Sequence, residues 1–245
     1  MKKCILLTGA SSGLGKEAAL ALSKNYNILI NGRNEKSLSD IKSASENECY
    51  IWSYDLTNLD SLEKSLKRFL LENNLEVCGY VHCAGSMKMI PCKMINKDLL
   101  ESIFAINVFS AALISKILTT KKINGQALKS IVYISSNISE RGAKAFSIYG
   151  ASKASLNGFM RCLAVELAPK TRVNTISPGA MKTRMTEEIF EDKEREESME
   201  INYHLGIGKP EQIIPLIDFL ISERASWITG QEFVVDGGRT INITE

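Results

Sequence analysis

The chain is poor in the residues that hold metals. It contains two histidines and six cysteines (Cys4, Cys49, Cys78, Cys83, Cys92 and Cys162), and no two cysteines form a CxxC pair. That spacing matches no zinc framework, so no metal site is expected. The thiols read as reduced and partly buried, as in a cytoplasmic protein. An excess of one charge is also missing: 30 Lys and Arg against 28 Asp and Glu leave a formal net charge of +2. So even a balance points to neither nucleic acid nor an acidic membrane as a partner. The apolar run Cys4 to Leu7 stops at a glycine-rich turn, short of the about seven to fifteen residues of a secretory segment. No stretch is read as approaching the ~18 residues that span a bilayer. Internal repeats, low-complexity tracts and linkers are absent. The expectation is one domain over residues 1–245, for which 44% hydrophobic residues supply a core.

What is present is alternation. The short apolar segments CILLTG, NILING, CYIWSYD, VCGYVHCAG, SIVYISS, RVNTISPG and QEFVVDGG read as strands. Between them run helical patterns, over about Leu14 to Asn25, Glu35 to Ser45, Asp60 to Asn73, Lys97 to Thr119 and Tyr149 to Leu167. A further helix, EQIIPLIDFLIS, is expected to bend at Pro215. Continuously apolar strands separated by helices predict an α/β, doubly wound, mainly seven-stranded parallel sheet flanked by helices.

The first strand ends in TGASSGLG, with Gly9, Gly13 and Gly15 around Ser11, Ser12 and Leu14. Glycine permits backbone geometry that a side chain forbids and lets a phosphate come close. The helix that follows offers free N–H groups to a pyrophosphate. An acidic residue that grips an unmodified ribose usually follows the second strand. Here Asn31 and Gly32 stand there, followed by Arg33. A guanidinium suits a 2′-phosphate, so NADP(H) is expected ahead of NAD(H). Asp55, at the end of the third strand, has two open readings: an acceptor for the adenine amino group, or an N-cap for the next helix.

In IYGASK, Tyr149 and Lys153 are spaced i, i+4 and share a helix face. A lysine one turn away is expected to favour the phenolate and lower the tyrosine pKa from about 10. Such a pair can exchange a proton with a carbonyl or alcohol oxygen. Ser136, at the end of the fifth strand, can steady charge on that oxygen.

Taken together these features resemble the short-chain dehydrogenases/reductases over nearly the whole chain. Thr8-Gly9 and Gly13-Leu14-Gly15 are similar to the family's cofactor turn, Asp55-Leu56 to its adenine-contacting pair, and GQEFVVDGG to its final strand. Pro178-Gly179 and Thr183 are similar to the segment that meets the nicotinamide carboxamide. The resemblance implies a Rossmann fold with Asn107, Ser136, Tyr149 and Lys153 as the catalytic set. It further implies that Asn107 supports a water linking Lys153 to solvent. The family's Asn-Asn-Ala-Gly reads His82-Cys83-Ala84-Gly85 here. Cys83, Ala84 and Gly85 keep the cofactor wall, and His82 is assigned to that wall rather than to catalysis. Ser12 stands where many NADP-preferring members carry a basic residue.

The implied activity is NADP(H)-dependent interconversion of a carbonyl and a secondary alcohol. The closest pattern is that of 3-oxoacyl-[acyl-carrier-protein] reductases, with Lys121, Lys122, Lys129, Lys170 and Arg172 as a candidate face for an acidic carrier. A free ketone, steroid-like or sugar-derived substrate is the alternative, as is a non-catalytic NADP(H)-binding regulator. An extended epimerase is not expected, since the chain ends shortly after the final strand. Met181 to Tyr203 carries seven Glu and one Asp against Lys182, Arg184, Lys193 and Arg195, a net charge of −4. Residues 181–205 are read as a substrate flap, with Ser86 to Asn96 as a second source of substrate contacts. His204, near the flap, is read as solvated. The resemblance implies a homotetramer, or a homodimer, built through the helices that start near Lys97 and Tyr149.

Overall fold

The computed structural model describes residues 1–191 and 193–241. Seven strands form one wholly parallel sheet: β1 (Lys2–Thr8), β2 (Ile28–Gly32), β3 (Cys49–Ser53), β4 (Leu75–His82), β5 (Ser130–Ile134), β6 (Arg172–Pro178) and β7 (Glu232–Val235). Their spatial order is β3-β2-β1-β4-β5-β6-β7. Side chains alternate between faces along a strand. In β1, Cys4 and Leu6 enter one core and Ile5 and Leu7 the other. Burial on both faces requires apolar residues at consecutive positions, which is why CILL reads as an unbroken run.

One face is covered by α1 (Gly13–Leu22), α2 (Glu35–Ala44) and α10 (Ile214–Ile221), whose buried side chains share a core with Ile5, Ile30 and Val132. The other carries α3 (Leu59–Glu72), α4 (Lys97–Phe104), α5 (Ser110–Thr119), the single turn α6 (Lys121–Asn124) and the long α7 (Ser147–Leu167). On α3 the residues Leu62, Leu66 and Leu70 recur every fourth position and are fully buried. Two short helices, α8 (Glu187–Phe190) and α9 (Lys193–Ile201), lie between β6 and α10.

Three expectations are corrected. Pro215 does not bend a helix: α10 begins at Ile214, and Pro215 occupies its first turn, where the missing N–H costs nothing. The first helix stops at Leu22 rather than Asn25. The segment Lys97–Thr119 forms 23 helical residues, long and apolar enough to cross a membrane by length and composition alone. In the fold, Ala111, Ile114 and Leu118 from this segment pack beneath the sheet. It is interrupted by a π-helical turn over Ala105–Phe109.

On the β5 side of the start of β4, a side chain replaces the ladder. Pairing of β4 with β5 begins only at Gly79, and upstream of it Asn124 takes over. Its carboxamide accepts from Val77 N–H at 2.7 Å and donates to Val77 C=O at 2.9 Å and Leu118 C=O at 3.0 Å. Asn124 is fully buried, so Asn124→Ala strands these groups. The expected loss is about 2–3 kcal/mol of unfolding free energy in urea titrations. A loss below about 0.5 kcal/mol would show that the backbone finds other partners.

Candidate active site

Connections run outward from β1 in one direction and from β4 in the other, so a crevice opens above the carboxyl ends of these two strands. The crevice is a cleft of about 1020 Å3. Ser136, Tyr149, Lys153 and the expected cofactor residues from Gly9 to Thr183 line it, whereas Thr8, His82 and Asn107 are fully buried behind its wall.

The glycine turn forms the floor. Gly9 has φ +66°, and a Cβ there would lie 2.7 Å from the Cα and N of Ala84. A Cβ on Gly15 would meet the Gly9 carbonyl oxygen at 2.3 Å. The backbone is thus drawn in on itself, and α1 points its first turn toward the cleft. Ser12 precedes α1 without a side-chain cap, and no acidic residue stands in the first turn. A glycine cradle under an uncapped helix start fits the pyrophosphate of a dinucleotide.

At the far end of the turn, Asn31 is taken up by structure, donating to the carbonyls of Trp52 and Tyr54. Arg33 Nη1 lies 3.5 Å from Asp55 Oδ2, with the arginine side chain 70% exposed. Asp55 is not a helix cap. Its Oδ1 accepts from the Thr57 N–H at 3.0 Å and hydroxyl at 2.8 Å, whereas Asn58 precedes α3. Burial would raise the Asp55 carboxyl, but the Thr57 hydrogen bonds and the Arg33 charge outweigh it and hold it below the usual range.

On α7, Tyr149 and Lys153 face the cleft one turn apart. Lys153 Nζ donates to the Ile134 carbonyl at 2.8 Å and lies 5.8 Å from the centroid of the Tyr149 ring. The expected lowering of the phenol by this lysine is not found. Burial pushes the Tyr149 phenol up, and the Ser136 hydroxyl pulls part of that back. Burial also brings Lys153 down to about 8. Removal from water drives both groups toward their neutral forms.

Asn107 sits in the π-turn, fully buried. Its Oδ1 accepts from Ser86 N–H at 2.7 Å, and its Nδ2 donates to Ser86 C=O at 3.0 Å and Ser152 Oγ at 2.9 Å. The Ser152 hydroxyl donates to the Tyr149 carbonyl at 2.7 Å. Asn107 therefore ties the loop after β4 to the helix that carries Tyr149.

His82 replaces the family's amide with a ring that reaches further. Its Nε2 lies 3.2 Å from the Ile106 carbonyl, so Nε2 carries the proton. Nδ1 then accepts from the hydroxyls of Thr8 at 2.9 Å and Tyr80 at 2.8 Å. Thr8 Oγ1 in turn accepts from Ala84 N–H at 3.3 Å. One neutral imidazole thus joins the end of β1, the loop after β4 and the π-turn. The placement of His82 in the wall is corrected: Cys83, Ala84 and Gly85 line the cleft, and His82 is fully buried behind them.

The segment 181–205 forms the opposite wall. Thr183, Arg184, Met185, Ile189, Met199 and Tyr203 line the cleft from it. Asp192, within this segment, lies outside the described residues. Tyr203 Oη accepts from Ala180 N–H at 2.9 Å, and Thr183 stands 3.5 Å from a Cβ built on Gly13. From the segment Ser86 to Asn96, expected to meet substrate, Met87, Met89 and Pro91 line the cleft. His204 is exposed, as expected. Three lining cations have no counterpart in the sequence reading: Arg141 and Lys144, in the loop before α7, and Arg239, just past β7. The only signal available was a cation in a loop at the carboxyl end of a strand.

The face expected to meet an acidic carrier is corrected. Lys121, Lys122, Lys129 and Lys170 lie on α6 or just before β5 and β6, at the end of the sheet opposite the cleft. Arg172 donates to the carbonyls of Leu220 at 2.8 Å and Ser222 at 2.9 Å, so it serves the fold.

A glycine cradle at a strand-order reversal, with a tyrosine and lysine beside it, defines a nucleotide-dependent oxidoreductase. The chain belongs to the short-chain dehydrogenase/reductase family, and residues 9–240 match the family model described as Enoyl-(Acyl carrier protein) reductase. It is 30% identical to an L-xylulose reductase of Caenorhabditis elegans over 98% of this chain and 96% of that one. It is 32% identical to an L-rhamnose 1-dehydrogenase (NADP(+)) of Thermoplasma acidophilum, covering 98% of this chain and 97% of that one. Identity is also 32% to a 3-oxoacyl-[acyl-carrier-protein] reductase of Buchnera aphidicola, with 97% of each chain covered. A solved 4-hydroxyisoleucine dehydrogenase complexed with NADH superposes with a TM-score of 0.90 at 27% identity, over 99% of this chain and 100% of that one.

His82 yields a pH signature. Burial, chiefly, lowers its pKa from 6.5 to about 3. Between those values the unfolded chain takes up a proton and the folded one does not, so stability falls as pH falls, by at most about 1.4 kcal/mol per pH unit. The chain has only two histidines, and most carboxylates titrate lower. Urea titrations from pH 7 to 5 should show this slope in the wild type and a flatter one in His82→Asn. Equal slopes contradict a buried neutral imidazole.

Proposed function

We propose that the protein is an NADP(H)-dependent oxidoreductase that interconverts a carbonyl and a secondary alcohol, with Asn107, Ser136, Tyr149 and Lys153 as its working set. The observation that carries the reading is the convergence of Ser136, Tyr149 and Lys153 on the cleft floored by the glycine turn. The bound dinucleotide supplies or accepts the hydride. Ser136 steadies the substrate oxygen. Tyr149, kept protonated by burial, hands its phenolic proton to that oxygen in reduction and recovers it in oxidation. Lys153, still an ammonium at neutral pH with a pKa of about 8, stabilises the tyrosinate as it forms. Asn107 holds α7 and the loop after β4 in register through Ser152 and Ser86.

NADP(H) is favoured by Arg33 at the rim, its partner Asp55 being a long contact in water that a 2′-phosphate can displace. The name of the Thermoplasma relative supports the same preference. A small free substrate is favoured over a carrier-bound one, because the basic face lies at the wrong end of the sheet. Residues 181–205 act as a substrate flap. Leu100, Phe109 and Val165 are exposed on α4, the π-turn and α7, which supports a homotetramer or homodimer formed through these helices. The six unpaired thiols suit a reducing, cytoplasmic setting.

The test is a fluorescence titration with NADPH and NADH, followed by turnover of a panel of ketones. Tyr149→Phe should keep NADPH affinity within about threefold and lose at least about 99% of kcat, as expected where a proton donor is removed. Near-normal turnover in that variant refutes the proton-donor role. Arg33→Ala should weaken NADPH by about tenfold or more and NADH little. Equal weakening of both assigns the 2′-phosphate to other groups.

A further inference from the structure

The charges along the cleft are unevenly distributed. Among the described residues that line it, the single carboxylate is Asp55, at the Arg33 end. Besides Arg33 and Lys153, the lining cations are Arg141, Lys144, Arg184 and Arg239, of which Arg141 follows β5 and Arg239 follows β7. Arg141 and Arg239 are half-buried, and among the described residues neither takes part in a salt bridge. Arg141 Nη1 donates to the Arg239 main-chain carbonyl at 3.2 Å, which holds the two residues side by side. Burial and the nearby Arg239 charge act against the Arg141 cation and outweigh the opposing pull of Tyr203 and Asp236. The carboxylate close to them, Asp236, is occupied: it accepts from Gly238 N–H, Asn137 Nδ2, and both the N–H and hydroxyl of Thr240. Two arginines partly out of water, facing one carboxylate whose oxygens are already engaged by Asn137, Gly238 and Thr240, leave an excess of positive charge that forms a site prepared for an anion.

The anion is not the dinucleotide's phosphate. The cradle for that lies after β1, with Arg33 after β2, whereas Arg239 follows β7. β7 stands four strand positions from β1, roughly 19 Å at about 4.8 Å per strand. Tyr149, on the helix that follows β5, lies between the two regions.

We propose that the substrate carries an anionic oxygen group, carboxylate or phosphate, held by Arg141 and Arg239 while its carbonyl faces Tyr149. This rests on the reductase reading above. In reduction the new C–H bond takes hydride from NADPH, the new O–H bond takes the Tyr149 proton, and the anion is unchanged. The dinucleotide leaves oxidised and the substrate leaves as a hydroxy acid or hydroxyalkyl phosphate.

The test uses the full-length protein with NADPH. Oxo acids of graded length are compared with their methyl esters and with an oxoalkyl phosphate. The acid should exceed its ester in kcat/KM by at least about tenfold, the ratio expected from one charge-assisted pair. In Arg141→Gln/Arg239→Gln the ratio should fall to near one, and Arg141→Lys should retain part of it. A phosphate that outruns the acids identifies the group as a phosphate. No acid preference in the wild type, or one that survives the double substitution, overturns the inference and leaves the reductase reading intact.

A second measurement needs no turnover. Succinate and succinamide are titrated into the NADPH-saturated protein, following nicotinamide fluorescence. Succinate should bind the wild type at least about tenfold more tightly than succinamide, and the double variant should not discriminate. Equal binding of the two by the wild type overturns the inference. Failure of NADPH itself to bind overturns the reductase reading, and the anion site falls with it.

Discussion

The site depends on one backbone crossing. Gly9, leaving β1, passes so close to Ala84, leaving β4, that a methyl group on Gly9 would overlap the Ala84 backbone at 2.7 Å. No flexible side chain can move aside to relieve this, because the neighbours are main-chain atoms. The crossing brings the glycine turn and the cofactor wall together at the reversal of strand order. His82 fastens it from beneath through Thr8 and extends the link to Ile106. From there the π-turn positions Asn107, and Asn107 positions α7. The floor, the wall and the helix that carries Tyr149 thus belong to one connected set of contacts.

Burial then sets the chemistry. Exclusion of water pushes the Tyr149 phenol up and the Lys153 ammonium down to about 8, leaving a neutral phenol beside a lysine still charged at neutral pH, so a tyrosinate forms next to a positive charge. Toward β7 the balance is different: Arg141 and Arg239 form no salt bridge among the described residues, and the nearby Asp236 is engaged by Asn137, Gly238 and Thr240. A reacting centre set apart from a cationic rim separates orientation from reaction.

Much of this was legible from the sequence because it is locally encoded. Burial on both sheet faces shows as unbroken apolar runs, and the glycine turn and the Tyr149–Lys153 spacing each fit within eight residues. What could not be read depends on partners far apart in the chain. Arg141 and Arg239 are 98 positions apart and meet only after β7 has docked. The three partners of His82 come from β1, β4 and the π-turn, so its ring appeared only as a departure from a motif. The direction of the Tyr149 shift was misjudged because spacing reports a neighbouring charge but not the loss of water around both groups. The carrier face failed for a similar reason: lysines counted along the chain carry no information on which end of the strands they occupy.

The π-turn amounts to a phase slip. It admits one more residue than an α-helical turn does, and one residue is worth about 100° of rotation. The apolar stripes of α4 and α5 therefore follow two separate frames along one rod, joined at Ala105–Phe109. In a regular helix Asn107 would fall on the same stripe as Ala111, Ile114 and Leu118; the slip offsets it, so that Asn107 meets Ser86 and Ser152 while the other three keep their packing in the core. The slip lets each half keep its own angular setting, so residues on either side of it can vary in size or polarity without re-aiming the amide between them. It also makes the length of this short segment, rather than its composition, the quantity under constraint.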